Sequence, residues 1–361
     1  MPHPLDRADL RSRVQVRIDH QLSSWERELA EIGPDVVDLL TPIRQLLEGG
    51  KRLRAGFAYW GWRAAGREDH DGAISLAASM ELFQAAALIH DDVMDDSETR
   101  RGRPAMHRSL AGTHTSRGWH GDPERFGAAG AILAGNLCLG WCDDLFADSG
   151  LPADSLTAAR PVFERMRGQL MAGQFLDIVT SMRPWRRLGD EERTDRARHV
   201  IRYKSAKYSI EHPLLIGATA GDAGEQDLAA LSRYGLALGE AFQLRDDVLG
   251  VFGDPEVTGK PAGDDLREGK RTVLIARTLA GATATDADRL EQRLGAPDLT
   301  QEEVLELRRL LVDTGALERV EADIAEGAEA ARQALAEAEG VPDEPREVLA
   351  ELIDRTTARS T

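Results

Sequence analysis

Two short runs of aspartate are the residues best placed to do chemistry. The first, LIHDDVMDD from Leu88 to Asp96, closes an apolar stretch that begins near Ile74. On a helix Asp91 and Asp95 are four steps apart, so they point within about 40° of one another, with Asp92 on the adjacent face. Two carboxylates about 5 Å apart repel by roughly 3 kcal/mol at an effective dielectric near 20. Such a group is either fully solvated or holds a cation. A solvated face is the usual fate of a charge run. Here Met80 to Ile89 are nearly all apolar, so the helix is expected to be buried with its acidic end lining a cavity mouth. Oxygen donors without His or Cys support favour magnesium over zinc or copper. The second run, FQLRDDVLG from Phe242 to Gly250, again places an acidic pair, Asp246 and Asp247, after an apolar helical stretch. Two such helix ends facing each other across a cavity would cage hydrated magnesium ions bridging a diphosphate. A third pair, Asp143 and Asp144, lacks a basic neighbour and reads as structural or surface.

Magnesium accounts for one diphosphate, and a second needs cations from the protein. Gly49-Gly50-Lys51-Arg52-Leu53-Arg54 offers glycines for close backbone approach and three cations at a helix start, where free N–H groups also favour anions. Arg100-Arg101-Gly102-Arg103 follows the first acidic run, and Lys204, Lys260 and the pair Lys270-Arg271 lie further on. A single Lys or Arg is ordinarily a solvated surface group. Five such sites beside Gly-rich turns or acidic runs point to anion binding.

The elements that must position these groups are helices. Apolar residues recur with helical period throughout, and alternating β-branched runs are missing. Helices are predicted at 6–31, 35–47, 52–65, 73–96, 126–148, 155–180, 190–219, 226–250 and 270–280, with several more from 286 onward. Gly/Pro turns such as Gly102-Arg103-Pro104, Gly150-Leu151-Pro152 and Gly259-Lys260-Pro261 separate them. No turn is long enough to link domains, so one all-α domain over 1–361 is expected, a large helical bundle with a central substrate cavity. The Ala-rich, acidic tail from Glu318 reads as a solvent-facing terminal helix. His107 to Phe126 reads as a loop, either a mobile flap or a plain surface loop. Cys138 and Cys142 lie four apart in an apolar run and read as core residues, neither a zinc site nor a disulfide framework. A net charge of −17 argues against a nucleic-acid partner, because there is no overall basic footprint. The N-terminus lacks a secretory pattern, and no window approaches the roughly 18 uninterrupted apolar residues of a membrane span. A cytoplasmic location without stable membrane insertion is expected.

In order along the chain, GGKRLR, DDVMD, RRGRP, GQFLD (Gly173 to Asp177), YKSA, FQLRDDVLGVFGD and GKPAGDDLREGKRT resemble the motifs of the trans-polyprenyl diphosphate synthase family, in particular its geranylgeranyl diphosphate synthase-like members. The resemblance spans about Gly49 to Arg271. Two positions depart from it: Ala55 stands where Pro is common, and Gly250 where many members have a third Asp. The resemblance implies an enzyme that condenses isopentenyl diphosphate with an allylic diphosphate. By position, Lys51, Arg54, Gln84 and Arg101 would hold the isopentenyl diphosphate, and Arg100, Lys204, Ser205, Gln243, Lys260 and Lys270 the allylic one. Asp91, Asp95 and Asp246 would bind magnesium, three ions per site, supported by Asp92, Gln174, Asp177 and Asp247. Lys204, Gln243, Arg100 and Asp91 are the expected catalytic groups. A homodimer is also implied.

The growing chain should run down the helix below Asp91. Ala86 and Ala87 lie about one turn below it, and Phe83 one further turn down. Each turn deepens a pocket by about 5.4 Å, close to one isoprene unit. Small residues above Phe83 therefore suggest a twenty-carbon product, geranylgeranyl diphosphate, with farnesyl or longer products as alternatives. Phe83 as mere core packing is the competing view. A terpene cyclase would need Asn or Asp, then Ser or Thr, then Glu where this chain has Asp246, Gly250 and Asp254. It would also not need Lys51, Arg54 and Arg101. A non-catalytic regulatory subunit would tolerate loss of an acidic run, yet both remain. A phosphohydrolase built on His90-Asp91 would need further histidines on neighbouring helices.

Overall fold

The computed structural model describes residues 4–253 and 263–357. Helices dominate, as the periodicity predicts: α1 (Leu10–Ala30), α2 (Val37–Leu47), α3 (Leu53–Ala64), α4 (Asp71–Met94), α5 (Met106–Ser116), α6 (Pro123–Ala147), α7 (Ala153–Met182), α8 (Asp190–Val200), α9 (His212–Ala220), α10 (Glu225–Phe252), α11 (Asp264–Arg267), α12 (Val273–Gly281), α13 (Ala284–Arg293), α14 (Gln301–Asp313), α15 (Ala316–Glu337) and α16 (Asp343–Thr357). A π-helix, Ile201–Glu211, joins α8 to α9, and one two-stranded ribbon pairs β1 (Thr99–Arg100) with β2 (Arg103–Pro104).

The chain divides into two compact units, 1–159 with 216–222, and 160–215 with 223–361. In the first, α4 is apolar on all sides and packs against α1, α3 and α6. Leu10, Val14, Ile18 and Leu22 recur every four residues on α1, giving it one buried stripe. By length and composition α4 could cross a membrane, but most of it is buried inside this unit. The apolar run exceeded what a count of uninterrupted residues suggests, because Glu81 breaks the count while remaining buried.

In the second unit α10 is central. Its Gly235 and Gly239, one turn apart, bring it against the π-helix, where an added Cβ would meet the Glu211 and Ala206 backbones at 2.6 and 2.7 Å. Arg245 binds Glu321 of α15 at 2.6 Å, and the Tyr234 hydroxyl donates to the Leu349 carbonyl of α16 at 2.8 Å. The C-terminal stretch thus differs from its expected solvent-facing role. Val320, Ile324, Ala328, Ala331 and Leu335 of α15 are buried, and the helix packs on α10. Its alanines make a narrow apolar stripe that composition alone reads as merely acidic.

The stretch expected to be a loop also differs, because Met106–Ser116 is a helix. Met106, His107, Leu110, Ala111 and His114 form its buried face. Two of the five are histidines, and treating them as polar conceals the helical period. His114 meets Phe126 at 5.3 Å between ring centres, and Phe126 meets Trp119 at 5.3 Å. Cys138 and Cys142 are buried core residues, as expected.

Candidate functional site

In the first unit the acidic run occupies the last turn of α4, with Asp92 buried, Asp91 half-buried and Asp95 exposed at the C-cap. Helix carbonyls and the negative end of the dipole already gather there, so carboxylates are at the unfavourable end, and no basic residue of the turn offsets them. Arg100 clamps Asp92, its Nε donating at 2.9 and 3.2 Å. Burial still raises the Asp92 pKa; Arg100 opposes that shift and Asp91 adds to it.

The basic residues converge beside this turn. Arg101 and Gly102 are the two central residues of the β1–β2 hairpin, both at positive φ (54° and 74°), as a two-residue primed turn requires. This turn carries Arg101 to the basic loop, where its Nη1 donates to the Leu46 carbonyl at 2.9 Å. An added Cβ at Gly50 would lie 3.3 Å from the guanidinium, so glycine there leaves room for it. The packed surroundings lower the Arg101 pKa. Glu81 opposes the shift, while Arg52, Arg100 and Arg54 add to it. Arg54 and Arg101, crowded by these neighbours, make a preformed site for an anion. A pocket of about 420 Å³ within this unit is lined by Ile89, Asp92, Arg100, Arg101, Arg103 and Met106, among others.

Sequence reasoning missed what holds the basic loop in place. Arg52 faces inward, not toward an anion, and pairs with Glu81 of α4 at 3.0 Å, both nearly inaccessible. Glu81 also accepts from the Ala55 N–H at 3.2 Å, and Arg52 donates to Gln15 and the Leu47 carbonyl. This buried pair fixes the loop from which exposed Lys51 and half-buried Arg54 project. The signal is in the sequence: Glu81 is the sole acid or base between Gly72 and Ile89, and a lone charge in an apolar helix needs a partner. Half-buried Gln84 sits one turn after Glu81 on α4, and Phe83 and Ala86 are buried beside it, with Ala87 half-buried. His90 sits over Gly135 of α6, its Nε2 3.2 Å from the Ile132 carbonyl. That contact ties the ring to the fold.

In the second unit Gly173, the first residue of GQFLD, lets α7 press on the π-helix, where an added Cβ would lie 2.6 Å from the Lys204 backbone nitrogen. That approach sets Asp177 against Lys204, Nζ to Oδ2 at 2.6 Å. Gln174 and Ser205 are half-buried nearby in sequence on the same two elements. The widened π turn bearing Lys204 and Ser205 was not legible as such, and π segments recur at functional sites. Near the end of α10, Asp246 is half-buried and Asp247 buried, with Gln243 Nε2 donating to Asp247 at 2.8 Å. Burial pushes the Asp247 pKa up to about 8, assisted by Asp265 and Asp246 and opposed by Gln243 and Lys270. Lys270 binds Asp265 at 3.0 Å and Glu268 at 2.6 Å. Lys260 lies outside the described residues.

The donor chemistry in each unit fits magnesium. Asp91 and Asp95 in the first unit, and Asp246 in the second, each offer oxygen only, and among the described residues no three His, Cys or acidic side chains form a group that could hold an ion unaided. Magnesium is ordinarily bound through one or two carboxylates, substrate phosphates and retained water.

Residues 37–311 match the family model described as polyprenyl synthetase. The chain is 33% identical over 346 residues to a geranylfarnesyl diphosphate synthase of Aeropyrum pernix, covering 95% of this chain and 99% of that one. It is 33% identical over 231 residues to a (2E,6E)-farnesyl diphosphate synthase of Mycobacterium bovis, covering 64% and 57%. The geranylgeranyl pyrophosphate synthase structure from Corynebacterium glutamicum, complexed with isoprenyl diphosphate and magnesium, superposes with a TM-score of 0.89 at 39% identity, covering 97% and 99%.

Proposed function

Because the chain belongs to the polyprenyl synthetase family and is a prenyltransferase, we propose that it condenses isopentenyl diphosphate with allylic diphosphates to give geranylgeranyl diphosphate. The observation that carries this reading is the placement of an acidic turn at the end of buried α4 beside Arg54, Arg100 and Arg101. Cation and anion sites adjoin, as a diphosphate substrate requires.

Lys51, Arg54, Gln84 and Arg101 hold isopentenyl diphosphate by its diphosphate, leaving its double bond free to react. Lys204, Ser205, Gln243 and Lys270 orient the allylic diphosphate, with Lys260 assigned by resemblance alone. Asp91, Asp95 and Asp246 would hold magnesium, three ions per site, and the family is magnesium-dependent. When bound, magnesium supplies positive charge where the departing diphosphate becomes more negative. Arg100, fixed by Asp92, adds to that stabilisation from the protein side. The allylic carbon left electron-poor is attacked by the double bond of isopentenyl diphosphate held nearby. The carbon that loses a proton, taken by released diphosphate, becomes part of the new allylic double bond. Apolar surroundings exclude water that would otherwise capture the cation.

The twenty-carbon assignment rests on Ala86 and Ala87 above Phe83 on α4. Relatives named for farnesyl, geranylgeranyl and geranylfarnesyl products leave the choice to such residues. A single domain of function over 1–361, a homodimer and a cytoplasmic location complete the reading. Half-exposed Ile132 and Leu133 on α6 support the dimer, and light scattering measures it.

The test is incubation with magnesium, isopentenyl diphosphate and dimethylallyl, geranyl or farnesyl diphosphate in turn, with products identified by mass. A twenty-carbon diphosphate supports the whole reading. Another length keeps the reaction and removes Phe83 as the floor. Cyclic hydrocarbon from the allylic substrate alone indicates a cyclase, and no turnover with any starter ends the reading.

A further inference from the structure

Lysine is scarce in this chain: of 45 lysines and arginines, five are lysine. Lys51, Lys204, Lys260 and Lys270 are the four assigned above to diphosphates, which leaves Lys207 to be accounted for. Its side chain is 17% exposed, and its Nζ donates to Oε2 of Glu211 in the same π-helix at 2.7 Å. Glu211 is buried, and its other oxygen, Oε1, accepts from the Ser232 hydroxyl of α10 at 2.6 Å. Each carboxylate oxygen thus has its own partner, one within the π-helix and one outside it. Ser232, Gly235 and Gly239 recur at helical spacing on one face of α10. The two glycines bring that face against Glu211 and Ala206, and the serine adds the polar contact. The wide turn continues through this point, since the His212 N–H donates to the Lys207 carbonyl five residues back. Helices of this kind rarely extend beyond a single turn, so one that runs from Ile201 to Glu211 needs support from its neighbours.

We propose that Glu211 is a positioning residue: shared between Lys207 and Ser232, it fastens the π-helix to α10 and so fixes the backbone that carries Lys204 to the allylic diphosphate. Lysine at 207 is the condition for that sharing. An ammonium is a point charge that can occupy one carboxylate oxygen, whereas a planar guanidinium fork engages both. Arginine at 207 would therefore compete with Ser232 for Oε1 of Glu211. This is a physical reason for lysine at 207 in a chain that otherwise favours arginine. The Lys204 ammonium is held by Asp177 of α7 at 2.6 Å, so side chain and backbone are set by different helices. This inference rests on the prenyl-transfer reading above.

The test measures kcat and the separate KM values for the allylic diphosphate and isopentenyl diphosphate in magnesium. The proteins are wild type, Lys207→Arg, Ser232→Ala, the double variant Lys207→Arg/Ser232→Ala, and Glu211→Gln. Val320→Ala, which opens a cavity at the buried face of α15, controls for lost stability alone. Lys207→Arg and Ser232→Ala should each lower kcat/KM for the allylic substrate about tenfold, the scale of one charge-assisted hydrogen bond. The double variant should lose no more than either single, because both changes break the same bond between Glu211 and Ser232. Glu211→Gln should lose at least as much. KM for isopentenyl diphosphate should stay within about twofold in all of them. Val320→Ala should leave the ratio of the two KM values unchanged, which separates positioning from a general loosening of the unit. Should Glu211→Gln not fold by circular dichroism, the Lys207 and Ser232 variants still decide the matter. The proposal is overturned by a Lys207→Arg or a folded Glu211→Gln enzyme indistinguishable from wild type. Losses that multiply in the double variant, or the same selective loss in Val320→Ala, overturn it equally. A wild type inactive with every allylic diphosphate overturns the prenyl-transfer reading instead.

Discussion

Removing Glu81 should damage both the stability of the first unit and its grip on one substrate. Glu81 and Arg52 are 3.0 Å apart, with side chains only 6% and 2% exposed. At that distance the attraction is about 5–6 kcal/mol at an effective dielectric of 20. Truncation leaves Arg52 buried without its counter-charge, a loss of about 3–5 kcal/mol in comparable pairs. Arg52 keeps its bonds to Gln15 and the Leu47 carbonyl, which places the expected loss for Glu81→Ala near the lower end, about 3 kcal/mol. Replacing both partners by apolar residues, Arg52→Met/Glu81→Leu, should recover most of that stability, because no charge is left buried.

Five of the six tryptophans (Trp25, Trp60, Trp62, Trp119 and Trp141) lie in the first unit, and only Trp185 in the second. Tryptophan fluorescence during urea unfolding therefore follows mainly the unit that holds the pair. Function should separate from stability. In the double variant the Ala55 N–H still lacks its Glu81 acceptor, so the loop bearing Lys51 and Arg54 remains poorly fixed. KM for isopentenyl diphosphate should stay raised about tenfold or more although the protein is stable. A Glu81→Ala protein within about 1 kcal/mol of wild type would refute the energetic reasoning, since that is the scale of an ordinary surface pair. A double variant with normal KM would refute the positioning role.

Three further outcomes are expected. Phe83→Ala should lengthen the product by about one isoprene unit and Ala87→Phe should shorten it, since one helical turn spans about 5.4 Å; product mass reads both. Gly173→Ala puts a methyl 2.6 Å from the Lys204 backbone nitrogen, so it should destabilise the second unit by about 1–3 kcal/mol and lower turnover, measured by urea unfolding and initial rates. His212 is buried, and desolvation lowers its pKa from 6.5 to about 4, with Glu211 opposing and Lys207 and Arg165 adding to the shift. The unfolded chain then binds the proton more tightly between those values, so this contribution to stability is present above about pH 6.5 and is lost as pH falls toward 4. His212→Gln should flatten that part of the stability–pH curve in urea titrations. An unchanged slope would show that other groups set it.

The helical class and most of the candidate site could be read from the sequence, because each depends on local spacing. Asp91 and Asp95, Asp246 and Asp247, and the GGKRLR cations announce themselves by type and interval, and α1, α4 and α10 by their apolar periods. What escaped the reading depends on residues brought together from afar. Arg52 looks like one more cation of its loop until Glu81, 29 residues on, turns it inward. The histidines of α5 count as polar until packing shows them on its buried face. The π-helix has no separate period that a sequence reveals, and only the close approach of Gly173, Gly235 and Gly239 shows how it is packed. Residue type and short-range spacing specify which chemistry is available; tertiary packing decides which charges point outward, because burying an ion requires a partner whose distance along the chain no local pattern encodes.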